Sequence, residues 1–252
     1  MGLTIIPLQC GTMYIDKSLA TPRKNFGQEF LSPSIIWYIE GTKKKILVDT
    51  SFKDAARASK IHAPQRIVRS PDQEIKAALA RVGVKPEEIE IVLLTHLHWD
   101  HSQNNDLFVN AEFVVQRKEL QYAICPLPPH NKVYEAVAAG LRPCWFDTPR
   151  WRVIDGDLDI VDGVKVITTP GHSPGFQSVL VKTDKGVYAI AADTVTMFEN
   201  WGNTQKGTHV PGGIYVNLEE YWQSLAKLEK MADVVIPGHD PAVFDKSSYP
   251  EK

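Results

Sequence analysis

The stretch Thr95-His96-Leu97-His98-Trp99-Asp100-His101 decides how the rest of the chain is read. It holds three imidazoles and a carboxylate, nitrogen and oxygen donors that suit Zn²⁺ and related divalent ions. The residues before it, Ile89-Glu90-Ile91-Val92-Leu93-Leu94, are apolar and β-branched and read as a buried strand. The donors therefore fall where a strand gives way to a loop. His96 and His98 are two apart, so in an extended chain their side chains point the same way. Asp100 and His101 are adjacent and a strand would send them to opposite faces, whereas a loop or a first helical turn lets both converge. The bland alternative is a surface loop with scattered histidines, and four donors at this spacing argue against it.

Working outward, 252 residues with 43% hydrophobic side chains suffice to bury a sizeable core. The formal charge of −2 gives no bulk attraction to nucleic acid or an anionic membrane. Cys10, Cys125 and Cys144 form no C-x-x-C pair and are odd in number, which fits free thiols in a reducing compartment. Met1 to Pro7 lacks the basic start and apolar core of a signal peptide, and no apolar run approaches the roughly 20 residues that span a bilayer. The expectation is a soluble, cytoplasmic protein.

In chain order, Leu3 to Cys10 reads as a strand and Met13 to Ser34 as a long loop, a substrate wall or a subunit contact. Ile35 to Ile39 and Lys45 to Asp49 read as strands about a Glu40-Gly41-Thr42 turn. Ser70-Pro71-Asp72 starts a helix whose apolar face carries Ile75, Leu79 and Val82. Glu112 to Gln116 is a strand and Arg117 to Ala123 a short helix. The proline-rich segment 125–150 reads as an inserted lid or pocket wall within a single domain spanning 1–252. Trp151 to Ile154, Leu158 to Val161 and Val164 to Thr168 are strands spaced by Asp155-Gly156 and Asp162-Gly163, both hairpin signals. Ser178 to Lys182 and Val187 to Ala191 pair about Asp184-Lys185-Gly186, Leu218 to Met231 is a helix, and Val234 to Ile236 is a last strand. Two strand-rich halves, each followed by helices, give an α/β sandwich of two sheets with helices outside.

Three later residues share the context of the opening stretch: His172, Asp193 and His239 each follow an apolar strand. One such residue is ordinarily a turn or cap residue, but the repetition raises the case for a shared site. The pattern His-x-His-x-Asp-His, then Gly-His, then Asp, then Gly-His resembles the metallo-β-lactamase superfamily over nearly the whole chain. The resemblance implies a four-layer αββα sandwich with two metal ions, two Zn²⁺ per chain or other divalent ions. His96, His98 and His172 would hold one ion, Asp100, His101 and His239 the other, and Asp193 would bridge them. Histidine at position 98, where the iron flavoprotein branch carries Glu, favours a hydrolase over a redox site.

Within the superfamily, Thr95 to His101, Thr169-Pro-Gly-His-Ser-Pro-Gly175 with Gln177-Ser178, Leu8-Gln9-Cys10-Gly11 and Pro237-Gly238-His239-Asp240 look like the N-acyl homoserine lactonases. That resemblance implies a lactone ring opened by a metal-bridging hydroxide, with Asp100 returning a proton to the ring oxygen. One departure concerns substrate: those lactonases carry a Tyr three residues after the bridging Asp, and Thr196 stands there in this chain. Tyr215 or His209 are candidate substitutes, against the stronger readings of Tyr215 as a packing residue and His209 as a loop residue, and Trp99 reads as a wall over the metals or as a core anchor. His62 and His130 read as a solvated loop residue and a lid residue. The rival readings are a same-fold hydrolase of another ester, thioester or small lactone, a nuclease, and a non-catalytic metal-binding module. No basic surface or clamp domain supports the nuclease. The expected partner is a small lactone or ester, with no nucleic acid and no membrane. By resemblance alone the Met13 to Ser34 loop is a place for a homodimer contact.

Overall fold

The structure is a computed structural model and describes residues 2–202 and 209–251. Its strands are β1 (Thr4–Asp16), β2 (Glu29–Glu40), β3 (Ile46–Val48), β4 (Arg66–Val68), β5 (Ile91–Leu93), β6 (Glu112–Gln116), β7 (Trp151–Ile154), β8 (Leu158–Val161), β9 (Val164–Thr168), β10 (Gln177–Thr183), β11 (Gly186–Ala192) and β12 (Val234–Pro237). The helices are α1 (Ala55–Ile61), α2 (Ile75–Ala80), α3 (Trp99–Ser102), α4 (Arg117–Ile124), α5 (Phe198–Trp201) and α6 (Leu218–Met231). One sheet runs β4-β1-β2-β3-β5-β6-β7 and the other β12-β11-β10-β9-β8.

Three layers of buried side chains hold this sandwich together. Between the sheets, Trp37, Ile39 and Leu93 of the first meet Val166, Val179 and Ile190 of the second. On the outer face of the seven-stranded sheet, Ile36, Leu47 and Val92 pack against Ile75 and Leu79 of α2. On the outer face of the other sheet, Leu180 and Ala189 pack against Tyr221, Leu225 and Leu228 of α6. Each sheet buries both faces, so β3 and β5 are continuous apolar runs rather than alternating ones.

The sequence reading of β6, β7, β8, β9 and α6 matches residue for residue, and β10 to β12 match within a residue or so. Two expectations are corrected. Met13 to Ser34 is not a long loop: β1 runs on to Asp16, β2 begins at Glu29, and the two pair from Thr12↔Pro33 to Asp16↔Glu29. A register shift between Gln9 and Thr12 interrupts the alternation that marks a strand, so the pattern broke just where the strand continued. Asp155-Gly156 is not a hairpin turn, because β7 belongs to the seven-stranded sheet and β8 to the five-stranded one; only Asp162-Gly163 joins paired strands. In addition α1 and β4 arise from a segment that gave no periodic signal, and β4 pairs with β1 through Met13↔Ile67.

The ends of strands from both sheets meet at one edge, and buried glutamine amides tie them there. Gln177 Nε2 donates to the carbonyls of Leu94 (2.8 Å) and Val114 (3.2 Å), and Gln116 Nε2 donates to Gln177 Oε1 (2.9 Å). Among the described residues no helix is long and apolar enough to cross a membrane.

Candidate metal centre

That edge carries all seven side chains expected as ligands. His96, His98, His172 and Asp193 form one group and Asp100, His101 and His239 another, with donor atoms in each group within 4.8 Å of one another. His96 and His98 precede α3, whereas Asp100 and His101 lie within it. The chain thus switches from extended to helical between the two pairs, which turns the adjacent Asp100 and His101 inward together. His172 follows β9, Asp193 follows β11 and His239 follows β12.

Asp193 stands between the groups. Its Oδ1 lies 3.0 Å from His239 Nε2 and 3.2 Å from His101 Nε2. Its Oδ2 lies 3.3 Å from His172 Nε2 and 4.0 Å from His96 Nε2. One carboxylate oxygen thus faces each group, the geometry of a bridge. His172 Nε2 also approaches His98 Nδ1 at 3.1 Å, and Asp100 Oδ2 lies 3.6 Å from His101 Nε2 and 3.8 Å from His239 Nε2.

The residues fit cations on a feature of their own. The Nε2 atoms of His96 and His101 are buried without a hydrogen-bond partner, a state that costs about 1–3 kcal/mol per group unless something binds there. The far nitrogens are occupied. His101 Nδ1 meets Asp49 Oδ2 at 2.8 Å, His172 Nδ1 the Ile214 carbonyl at 2.9 Å, His239 Nδ1 the Pro33 carbonyl at 2.9 Å, and His96 Nδ1 the Thr95 hydroxyl at 3.1 Å. Acceptors at Nδ1 fix the proton there and leave Nε2 free as a ligand.

Electrostatics divides the two groups. Burial, reinforced by neighbouring imidazoles, holds His96 and His98 well below the usual histidine value, and burial lowers His172 too. These rings are neutral and ready to ligate at neutral pH. Burial also disfavours charge on His101 and His239, but Asp193 and Asp100 outweigh it and raise both, His101 far above the usual value. Burial would raise Asp193, and the facing imidazoles His239, His101 and His172 instead hold it well below the usual carboxylate range.

Three buried carboxylates near the site had no role in the sequence reading. Asp49, at the end of β3, accepts the Thr95 amide (2.8 Å) and hydroxyl (2.8 Å) besides His101, and so orients the loop that starts the motif. It follows an apolar strand just as Asp193 does, and that signal was there to find it. Glu119, in α4, accepts from the Leu97 amide (3.0 Å), the Tyr134 hydroxyl (2.8 Å), the Ser173 hydroxyl (2.6 Å) and the Gly175 amide (3.2 Å). One carboxylate thereby joins both ligand-bearing loops to segment 125–150. A Cβ at Gly175 would lie 2.0 Å from the Glu119 amide nitrogen, and one at Gly171 would lie 2.2 Å from Tyr221 Cα, so both motif glycines are needed for close approach. Glu135 is the third: it takes a two-pronged bond from Arg57 (2.8 and 2.7 Å) and lies 3.6 Å from His62 Nε2.

The pocket over the ligands has a volume of about 90 Å³ and is lined by His62, Trp99, Val133, Thr196 and Ile214, with Met13 and Ile15 of the extended β1. Trp99 lines the pocket and also packs in the buried cluster of Met13, Phe52, Ala58 and Ile67. Tyr215 and His209 do not line the pocket: Tyr215 is 41% exposed, and His209 stacks on Trp201 at 4.2 Å and binds its carbonyl. His62 corrects the solvated-loop reading, being 7% exposed and stacked on Trp99 at 4.1 Å. It caps the C-terminus of α1, an element without sequence signal, and so its burial was hidden. His130 is bonded to the Tyr122 hydroxyl at 2.7 Å, away from the pocket lining.

A two-sheet sandwich with this ligand edge matches the profile of the metallo-beta-lactamase superfamily over residues 31–239, and the chain belongs to that superfamily. Among its relatives is an N-acyl homoserine lactonase from Bacillus cereus, 30% identical over 199 residues that cover 76% of this chain and 75% of that protein. The N-acyl homoserine lactonase AiiA of Bacillus thuringiensis subsp. kurstaki is 25% identical over 241 residues, 92% of this chain and 91% of that protein. The crystal structure of a quorum-quenching N-acyl homoserine lactone lactonase superposes with a TM-score of 0.76 at 25% identity, covering 98% of this chain and 97% of that one.

Proposed function

We propose that this protein is a metal-dependent hydrolase that opens lactone rings, with N-acyl homoserine lactones or close analogues as substrates. The observation that supports it most is Asp193, one oxygen toward each ligand group, in a chain similar along most of its length to N-acyl homoserine lactonases. Six imidazole and carboxylate side chains around a shared carboxylate suit two zinc ions. His96, His98 and His172 would hold one, Asp100, His101 and His239 the other. When bound, such a pair polarises a carbonyl and brings the pKa of water toward neutrality.

The chain's own residues supply the rest. Trp99, Val133 and Ile214 form an apolar rim that orients the lactone and sheds water. Asp100 lines the same pocket and would hand a proton to the ring oxygen as it leaves. The product is the hydroxy acid. The test is proton release on N-butanoyl-homoserine lactone and γ-butyrolactone. Metal-replete protein should open one or both, chelation should abolish turnover, and Zn²⁺ should restore it. Turnover of thioesters or open-chain esters with no lactone opened would overturn the reading.

A further inference from the structure

Resting on the lactonase reading, we propose that His62 sets substrate size: its ring, stacked on Trp99, restricts the pocket to lactones with a compact arm. The two centroids are 4.1 Å apart and the planes 17° from parallel, so the rings form one continuous wall. That wall is braced from behind. Arg57 grips Glu135 through both terminal guanidinium nitrogens, Glu135 is 1% exposed, and its Oε1 lies 3.6 Å from His62 Nε2. Trp99 is fixed separately, its amide donating to the Val133 carbonyl at 2.9 Å and its ring meeting Phe52 at 5.7 Å. A side chain held on two sides gives way less readily than a loop residue. The resulting cavity of about 90 Å³ is far below the roughly 300–1,000 Å³ typical of sites for drug-sized ligands.

The consequence concerns the acyl arm. Each methylene taken into an apolar site is worth about fourfold in affinity. Methylenes beyond the cavity stay in water and add nothing. Selectivity is then flat or falling with chain length, although the chemistry at the lactone ring is unchanged.

The experiment compares kcat/KM for N-decanoyl- and N-butanoyl-homoserine lactone in the zinc-loaded enzyme and in His62→Ala and His62→Phe, with metal content and circular dichroism measured on each. In the wild type the decanoyl-to-butanoyl ratio should not exceed about ten; a larger ratio overturns the proposal. His62→Ala should raise the ratio at least tenfold, and a smaller rise overturns it. His62→Phe refills the space and should bring the ratio back toward wild type; a ratio nearer the alanine value shows that size is not the cause. If His62→Ala loses its metal, Val133→Ala, cut from the same wall, takes its place under the same criterion. If no lactone is opened at all, the functional reading fails, and the same ratio on p-nitrophenyl decanoate and butanoate decides the size proposal by itself.

Discussion

The floor and the wall of the pocket are built in different ways. The floor is the seven side chains of the two candidate ligand groups, set at or near the ends of β5, β9, β11 and β12 and brought inward by two packed sheets. The wall comes from the β1–β2 hairpin, the end of α1, α3 and segment 125–150. Floor residues are anchored through backbone carbonyls and buried carboxylates such as Asp49. Wall residues are anchored to one another, His62 on Trp99 and Glu135 on Arg57. The floor therefore moves only if the sandwich moves, whereas wall residues outside α3, such as His62, reach it only through shared contacts such as those of Glu119. Chemistry is tied to the fold, and selectivity is tied to the loops.

Removing Asp193, the proposed bridge, tests this division most severely. Asp193→Ala takes a ligand from both groups, so metal content should fall and kcat/KM should drop at least 1,000-fold, about 4 kcal/mol at roughly 1.36 kcal/mol per tenfold. Metal analysis alongside kinetics checks it, and full metal occupancy in the variant would show that Asp193 does not bridge. Glu119→Ala comes next, because it frees four donors that the floor and the wall share. A single orphaned buried donor costs about 1–3 kcal/mol, so a loss of about 3 kcal/mol in urea denaturation is expected, with activity falling in step. If stability is unchanged, Glu119 does not join the two regions.

Floor and wall also differed in what the sequence disclosed. Ligands must be of a few residue types and must sit at strand ends, so His96 to His101, His172, Asp193 and His239 stood out as a pattern. Wall residues need only fill space or pair locally, which leaves no such signature. His62 lies in a segment with no periodicity, and Glu135 has a left-handed backbone (φ 46°) that its residue type does not favour. The β1–β2 hairpin was hidden for a related reason: the bulge near Gln9 to Thr12 shifts the register, so one face of the strand no longer reads as alternating.

The brace behind the wall gives a pH-dependent prediction. Burial would raise the Glu135 carboxyl, but the His62 ring 3.6 Å away and the two hydrogen bonds from Arg57 outweigh it and hold the group below its usual value. A depressed folded-state pKa stabilises the protein above the unfolded value of about 4.3 and loses that contribution as pH falls through the folded value. Arg57 is 41% exposed, which discounts the pair. Glu135→Gln in the chelated protein should therefore cost about 1–2 kcal/mol at pH 7, and the gap should narrow below about pH 4. Urea titrations at the two pH values measure this, and a gap of equal size at both would place its origin in packing rather than charge.

The smallest effect is expected at Thr196. Its side chain lines the pocket, yet its hydroxyl is hydrogen-bonded to Tyr221. Tyr221 is fully buried and in turn donates to the Asp193 carbonyl at 2.5 Å and accepts from the Gly212 amide at 3.2 Å. The Thr196 hydroxyl is thus already engaged within the fold, and threonine is too short to extend over the metals as a tyrosine would. Thr196→Val keeps the shape and removes one hydrogen bond, worth about 1 kcal/mol of stability. Lactone turnover should stay within about threefold of wild type, or roughly 0.65 kcal/mol. A hundredfold loss of kcat with KM unchanged would mean that the hydroxyl leaves Tyr221 to meet the substrate, and would move Thr196 from the wall to the reacting centre.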